Sequence, residues 1–333
     1  MKPGVFLTFD VECSMGGAWQ NPALKPVPPS RAVWGEYDGR KLGLPLIVDI
    51  LKQHGLAATF FVEAFMEEQG HPGQGEPICT YLLDQGQDVQ LHIHPNHKHY
   101  GLKRQDQPYP FTDDIADLDL QAQHALLAEG AQRLERWTGR RPAAFRAGNM
   151  GASEATLREL AAVGIRIDSS YAFPYVGGQC RFAPQEPYNG SKWYGEVLEL
   201  ALSGFRSWRL PRRPAAKPLD LMGISFEECR DAIRRICRAG ADAVVILHSF
   251  SLMKVRNVQY EDGRLNLIVA RRFRRLCQWL ATAKEFPTFT FAELAAAVAN
   301  NSYQARCASP CRLMTPRAAL RKAAQAWNNL YWT

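Results

Sequence analysis

No apolar run in this chain is long enough to cross a bilayer, so no transmembrane span is expected. None of the eight cysteines forms a CxxC pair, which argues against a disulfide scaffold or a zinc ribbon and suits a reducing compartment. Cys307 and Cys311 lie close together, but structural zinc takes four ligands and no second pair is near, so they read as free thiols. After Glu293 there is no acid, while Arg306, Arg312, Arg317, Arg321 and Lys322 follow. No signal-peptide apolar segment precedes the first strand, and a cytoplasmic location is expected. Arg206, Arg209, Arg212, Arg213 and Lys217 form a second basic stretch, interleaved with Phe205 and Trp208. Such a stretch could meet phosphates. Without a nucleic-acid-binding module solvated loop charge is the simpler reading, and no nucleic-acid partner is expected.

With 333 residues and 46% hydrophobic side chains, the chain can bury one large α/β core or two modest ones. Short apolar or β-branched runs at 5–9, 59–62, 89–93, 143–146, 166–169, 243–247 and 288–290 read as strands. Between them, residues 44–54, 115–138, 153–163, 226–239 and 265–284 carry apolar faces of helical period. Ser153 and Ser225 stand where helix N-caps belong, each followed by acids that suit the positive end of the helix dipole. The repetition predicts a parallel barrel or wound sheet with catalytic groups at the strands' carboxyl ends.

Two stretches break the rhythm: 13–41, rich in Pro, Gly and Trp, and 171–224, which holds nine aromatic residues among them Tyr171, Tyr175, Tyr188 and Trp193. The second reads either as a wall over an active site, where sugar rings could stack, or as a satellite core under a loop. After residue 298 the chain turns polar, and 318–332 form an amphipathic tail that could dock on a partner or a membrane surface. The expected organisation is a catalytic unit over 1–299, with an insert at 171–224, and a basic tail over 300–333.

Asp10 and Glu12 are two residues apart at the end of the first strand, so an extended backbone turns both carboxylates to one side. A second strand ends in His92, His94 and His97 within six residues. Carboxylates and imidazoles at strand ends suit a divalent cation with positions left open for water and a substrate oxygen. His99 lies farther out and is expected at the surface.

Several segments, in order, resemble the motifs of the polysaccharide deacetylase family of carbohydrate esterases, the NodB-homology group. Thr8-Phe9-Asp10-Val11-Glu12 resembles its opening motif, in the variant with one residue between base and metal-binding acid. Asp88-Val89-Gln90-Leu91-His92 resembles the strand leading to its first histidine ligand, and Phe145-Arg146-Ala147-Gly148-Asn149 its third motif. Gly164-Ile165-Arg166-Ile167-Asp168-Ser169-Ser170 resembles the fourth, Val197-Leu198-Glu199-Leu200 the strand after it, and Val245-Ile246-Leu247-His248 the fifth.

The resemblance implies an irregular (β/α)7 barrel and a metal-dependent hydrolase that removes an N-acetyl group from an amino sugar. It implies Asp10 as base, Arg146 as the residue that orients it, His248 as acid with Asp168 as its partner, and Glu12 with two histidines as ligands. The cation would be zinc, or cobalt, nickel, manganese or iron, and would polarise the acetamide carbonyl and acidify its bound water. The substrate would be a polysaccharide, glycolipid or nucleotide-sugar precursor, in surface-polysaccharide or O-antigen biosynthesis. Hydrolysis of another amide or a formamide, or glycan binding without turnover, are the other readings. The second motif departs from the family, whose ligands are four apart, because position 96 is Asn. The second ligand from this segment, beside His92, is then His97, His94 or Asn96. His97 is preferred here, on the expectation that the turn at Pro95 absorbs one residue; His94 shares a face with His92 only if the extended backbone continues.

Overall fold

Every residue of the strand Val5–Val11 is buried, as in a central parallel strand covered on both faces. The structure, a computed structural model, describes residues 1–207 and 215–313. Trp208, Arg209, Arg212 and Arg213, and the tail segment 318–332 with Arg317, lie outside the described residues.

Val5–Val11 pairs in parallel with Ala243–His248 on one side and with Thr59–Glu63 on the other. The parallel run continues through Asp88–Ile93, Ala144–Ala147, Ile167–Asp168 and Val197–Ala201. Antiparallel Asn189–Tyr194 and then Cys307–Ala308 extend that far edge, giving a nine-stranded curled sheet among the described residues. Irregular chain spans the gap between the outermost parallel strands. Ser203 donates its backbone N–H to the Val244 carbonyl, Ile246 donates to the Leu219 carbonyl, and Asp220 forms a parallel bridge with Ile246. The result is a curled, irregular half-barrel, within the parallel barrel or wound sheet expected from the repetition and irregular as the resemblance implied.

The expected strand at 288–290 does not form. Pro287 lacks the N–H that a ladder needs, and Thr290 instead caps the helix Phe291–Ala299 in a reciprocal pair with Glu293. Thr288 makes a single bridge to Val5, and Val197–Ala201 supplies the seventh parallel strand. The helices Leu44–Gln53, Leu120–Thr138, Glu154–Ala162, Phe226–Arg238 and Leu267–Thr282 lie where the helical period places them. Ser153 and Ser225 both cap their helices by accepting a backbone N–H.

Packing resolves the aromatic insert. Tyr171 stacks on Tyr188 with ring centroids 4.4 Å apart, and Phe182 meets Tyr171 edge-on, all three buried. Most of the insert's described aromatic surface is therefore core, a contribution of about 0.5–1.5 kcal/mol per aromatic pair beyond burial. Beyond residue 299, Tyr303 is buried and Arg306 pairs with the buried Asp242, so the chain stays packed on the sheet past the point where a tail was expected to begin. Among the described residues, no helix is long and apolar enough to cross a membrane.

Because seven strands run in parallel, their carboxyl ends open at one end of the sheet. Asp10, His92, Arg146 and His248 all arrive there.

Candidate active site

The floor of the site is a buried ion pair. Arg146 is fully buried and donates from Nη1 to Asp10 Oδ1 at 2.7 Å and to Thr8 Oγ1 at 3.0 Å. Its Nε donates to the Ser169 carbonyl and its Nη2 to Ser169 Oγ, both at 3.1 Å, and its guanidinium lies over the Phe61 ring. A buried pair is tolerated only when the remaining donors are satisfied in this way, and removing one partner of such a pair costs about 3–5 kcal/mol. The pairing fixes Asp10, which lies opposite His248 in the strand register.

Glu12 stands one residue beyond the end of that strand and receives two imidazoles. His92 Nε2 lies 3.2 Å and His94 Nε2 2.6 Å from Glu12 Oε2. The other nitrogen of each ring is engaged elsewhere: His92 Nδ1 lies 2.8 Å from the Arg146 carbonyl oxygen, and His94 Nδ1 lies 3.0 Å from Asp113 Oδ1. With Nδ1–H donating, both Nε2 lone pairs point inward. Burial pushes the Glu12 carboxyl up, but the charges and hydrogen bonds of His94 and His92 outweigh it and hold the group well below the carboxylate range. Burial likewise pulls His94 down, and Asp113 and Glu12 reverse this, lifting it well above its ordinary value. The three ligand atoms of Glu12, His92 and His94 lie within 4.8 Å of one another. A carboxylate and two imidazoles oriented from behind fit a divalent cation such as zinc.

His97 is not in this cluster. The backbone is still extended at His94, as the residue before Pro95 must be, so His92 and His94 keep one face; the helix Pro95–Arg104 then carries His97 behind them. His97 stacks on the His94 ring with centroids 5.1 Å apart and its Nδ1 lies 3.6 Å from the buried Glu63. Burial, then the neighbouring His94, push it down to about 3, so it is a neutral packing residue. The preference for His97 over His94 is thereby reversed. His99 is buried as well, not at the surface as its position suggested.

His248 ends its strand at the rim of the same cleft, its Nε2 3.9 Å from Glu12 Oε1 and its ring stacked on Phe250. The acid on the wall beside it is Asp220, which lines the cleft and feels the charge of His248. Asp168 does not reach the cleft. It accepts from the Ser170 hydroxyl at 2.7 Å and the Ser170 N–H, and it faces Glu199 across the next strand. The expected Asp168–His248 pairing is corrected on that ground: Asp168 is held inside the sheet by the two residues that follow it. The only trace of Asp220 in the sequence is a lone acid between two buried leucines, Leu219 and Leu221. Asp113 left no periodic trace, since it sits in a polar loop.

The cleft has a volume of about 540 Å3, counting its open mouth, and is lined by Asp10, Glu12, His92, His94, Asp220 and His248, with Tyr175 and Gln179 of the insert contributing to one wall. Residues 35–167 match the polysaccharide deacetylase family model. The matched stretch holds His92, His94 and Arg146; Asp10, Glu12, Asp220 and His248 lie outside it and are brought to the same cleft by the fold. A Mycobacterium smegmatis structure provisionally assigned as a polysaccharide deacetylase aligns with TM-score 0.57 and 16% identity, covering 94% of this chain and 93% of that one. A family 4 carbohydrate esterase from Streptomyces lividans, solved with acetate, aligns with TM-score 0.43 and 15% identity over 86% of this chain and 91% of that one. No curated protein matches the chain. The family model covers less than half of the chain, and the alignment with the Mycobacterium smegmatis structure shows a shared fold.

Proposed function

We propose that the protein is a metal-dependent N-deacetylase of an amino sugar carried on a precursor glycan, glycolipid or nucleotide sugar. The observation that carries this reading is the convergence of both Nε2 atoms on Glu12, in one cleft with Asp10, already held by Arg146, and His248. A divalent cation held by Glu12, His92 and His94 supplies electrophilic activation of the acetamide carbonyl and of water.

The chain's own groups divide the remaining chemistry. Asp10 takes the proton of the attacking water, and the Arg146 guanidinium holds that carboxylate in place. As the carbonyl carbon–nitrogen bond breaks, His248 gives a proton to the departing amine, so acetate and a free amino sugar leave. Asp220, lining the same cleft, orients His248. Tyr175 and Gln179 flank the sugar at the mouth of the cleft.

The setting we attach to this reading is cytoplasmic synthesis of a surface-polysaccharide or O-antigen precursor. The test is acetate release from a panel of N-acetylated nucleotide sugars, oligosaccharides and finished polymer, with N-formyl analogues alongside, each with and without chelator. Chelator-sensitive acetate release from at least one precursor is expected. Release that ignores chelator would remove the metal from the mechanism, and preference for formyl analogues would reassign the acyl group.

A further inference from the structure

Asp113 belongs to no strand end and no motif. It sits in the loop between the helices Pro95–Arg104 and Leu120–Thr138, yet its two carboxylate oxygens lie 3.0 and 3.1 Å from His94 Nδ1. Asn149 grips it from the other side, donating from Nδ2 to Asp113 Oδ2 at 2.7 Å. This grip is built on an uncommon backbone. Asn149 and Met150 both have left-handed torsions, with φ of 54° and 59°. Such a conformation costs about 1–3 kcal/mol in a bulky residue such as methionine and persists only where the surroundings enforce it. Gly148 completes the socket: a Cβ there would lie 2.4 Å from His94 Nδ1, so any side chain at 148 would displace the imidazole.

The two imidazoles of the cluster are therefore supported differently. His92 leans on a main-chain carbonyl, which no substitution removes. His94 leans on a charged side chain delivered by a loop, with the His97 ring stacked behind it. A carboxylate at Nδ1 keeps the proton on that nitrogen, leaves the Nε2 lone pair free and makes it a stronger donor than a carbonyl would.

We propose that Asp113, fixed by Asn149, is a positioning residue that sets the ring orientation and proton location of His94, so that cation affinity of the Glu12–His92–His94 cluster depends on a loop residue that does not touch the cation. The proposal rests on the metal-site reading above. It makes the 105–119 loop part of the metal centre and not merely a connection between two helices.

The test is Co2+ binding to the full-length protein, read from its visible absorption and by competition with a chromophoric chelator. Asp113→Ala is expected to weaken Co2+ by about 10–100-fold and to alter the visible spectrum, as loss of an outer carboxylate does at comparable centres. Asp113→Asn, which keeps an oxygen acceptor but no charge, should fall between parent and Asp113→Ala, with thermal unfolding of the metal-free protein close to parent. Asn149→Ala should weaken binding in the same sense by less. If Asp113→Ala does not fold, the Asn variant decides. Affinity and spectrum within about twofold of parent in both Asp113 variants, with binding lost in Glu12→Ala, would overturn the inference and leave the metal site standing. Retention of Co2+ in Glu12→Ala as well would overturn the site reading and the inference with it.

Discussion

Two pairs of acids are placed by strands of one sheet, and the fold treats them in opposite ways. Asp10 and Glu12 face an arginine and imidazoles across an open cleft, and Glu12 is held well below the usual carboxylate range. Asp168 and Glu199 face each other in register on neighbouring strands, both fully buried. Burial, then the repulsion of Asp168, pushes Glu199 well above its ordinary value, and burial raises Asp168 too. Glu199 accepts the Tyr171 N–H and Asp168 accepts from Ser170. Both pairs combine an aspartate with a glutamate, the first along the end of one strand and the second across two neighbouring strands. What differs is the side chain across the way and whether a cleft lies beyond it.

That contrast can be broken or sharpened by substitution. The largest effect belongs to the ligands: His94→Ala should lose both Co2+ binding and acetate release, whereas His97→Ala should bind Co2+ and turn over. Equal losses in a chelator-competition titration would return His97 to the cluster. Next comes the base. Asp10→Asn should bind Co2+ normally while acetate release falls by about 10²–10⁴-fold, and normal turnover would remove Asp10 from that role. Smaller again is the positioning of the acid. Asp220→Asn should lower kcat by roughly tenfold or more and shift the alkaline limb of the rate profile, the limb that reports a general acid, while Asp168→Asn leaves that limb in place. The reverse pattern would restore Asp168 as partner of His248.

The smallest effect is on stability, and its sign follows from the raised folded-state values of Asp168 and Glu199. The native state keeps a proton that the unfolded chain releases once pH passes the ordinary values of 3.8 and 4.5. Stability from this pair is therefore complete below those values and is lost as pH rises through the raised folded value. Glu199→Gln should flatten that decline in urea midpoints measured across pH; parallel profiles for parent and variant would show that the folded state does not raise these acids.

Much of this was legible beforehand, for physical reasons. Strand side chains repeat every two residues and helix faces every 3.6, so the parallel strands from Val5–Val11 to Ala243–His248 and the long helices could be read from apolar spacing. Two helices left no such signal: Gly75–Asp84 opens on Gly75 and Pro77, and Pro95–Arg104 is polar along most of its length. Asp10 and Glu12 declared themselves by alternation. The histidine run announced a site but not its membership, although the proline after His94 carried the answer, since it forces the preceding residue to stay extended.

By itself the sequence determined the parallel strand–helix alternation, the carboxylate pair on the first strand, the histidine run on the third and the arginine on the fourth, because each is a local pattern imposed by backbone geometry. Only the tertiary structure decided that His94 and not His97 joins Glu12, that Asp220 and not Asp168 stands beside His248, and that Asp113 and Asn149 hold His94 from a loop. Those choices depend on which side chains face one another after distant segments pack, and no spacing along the chain encodes that.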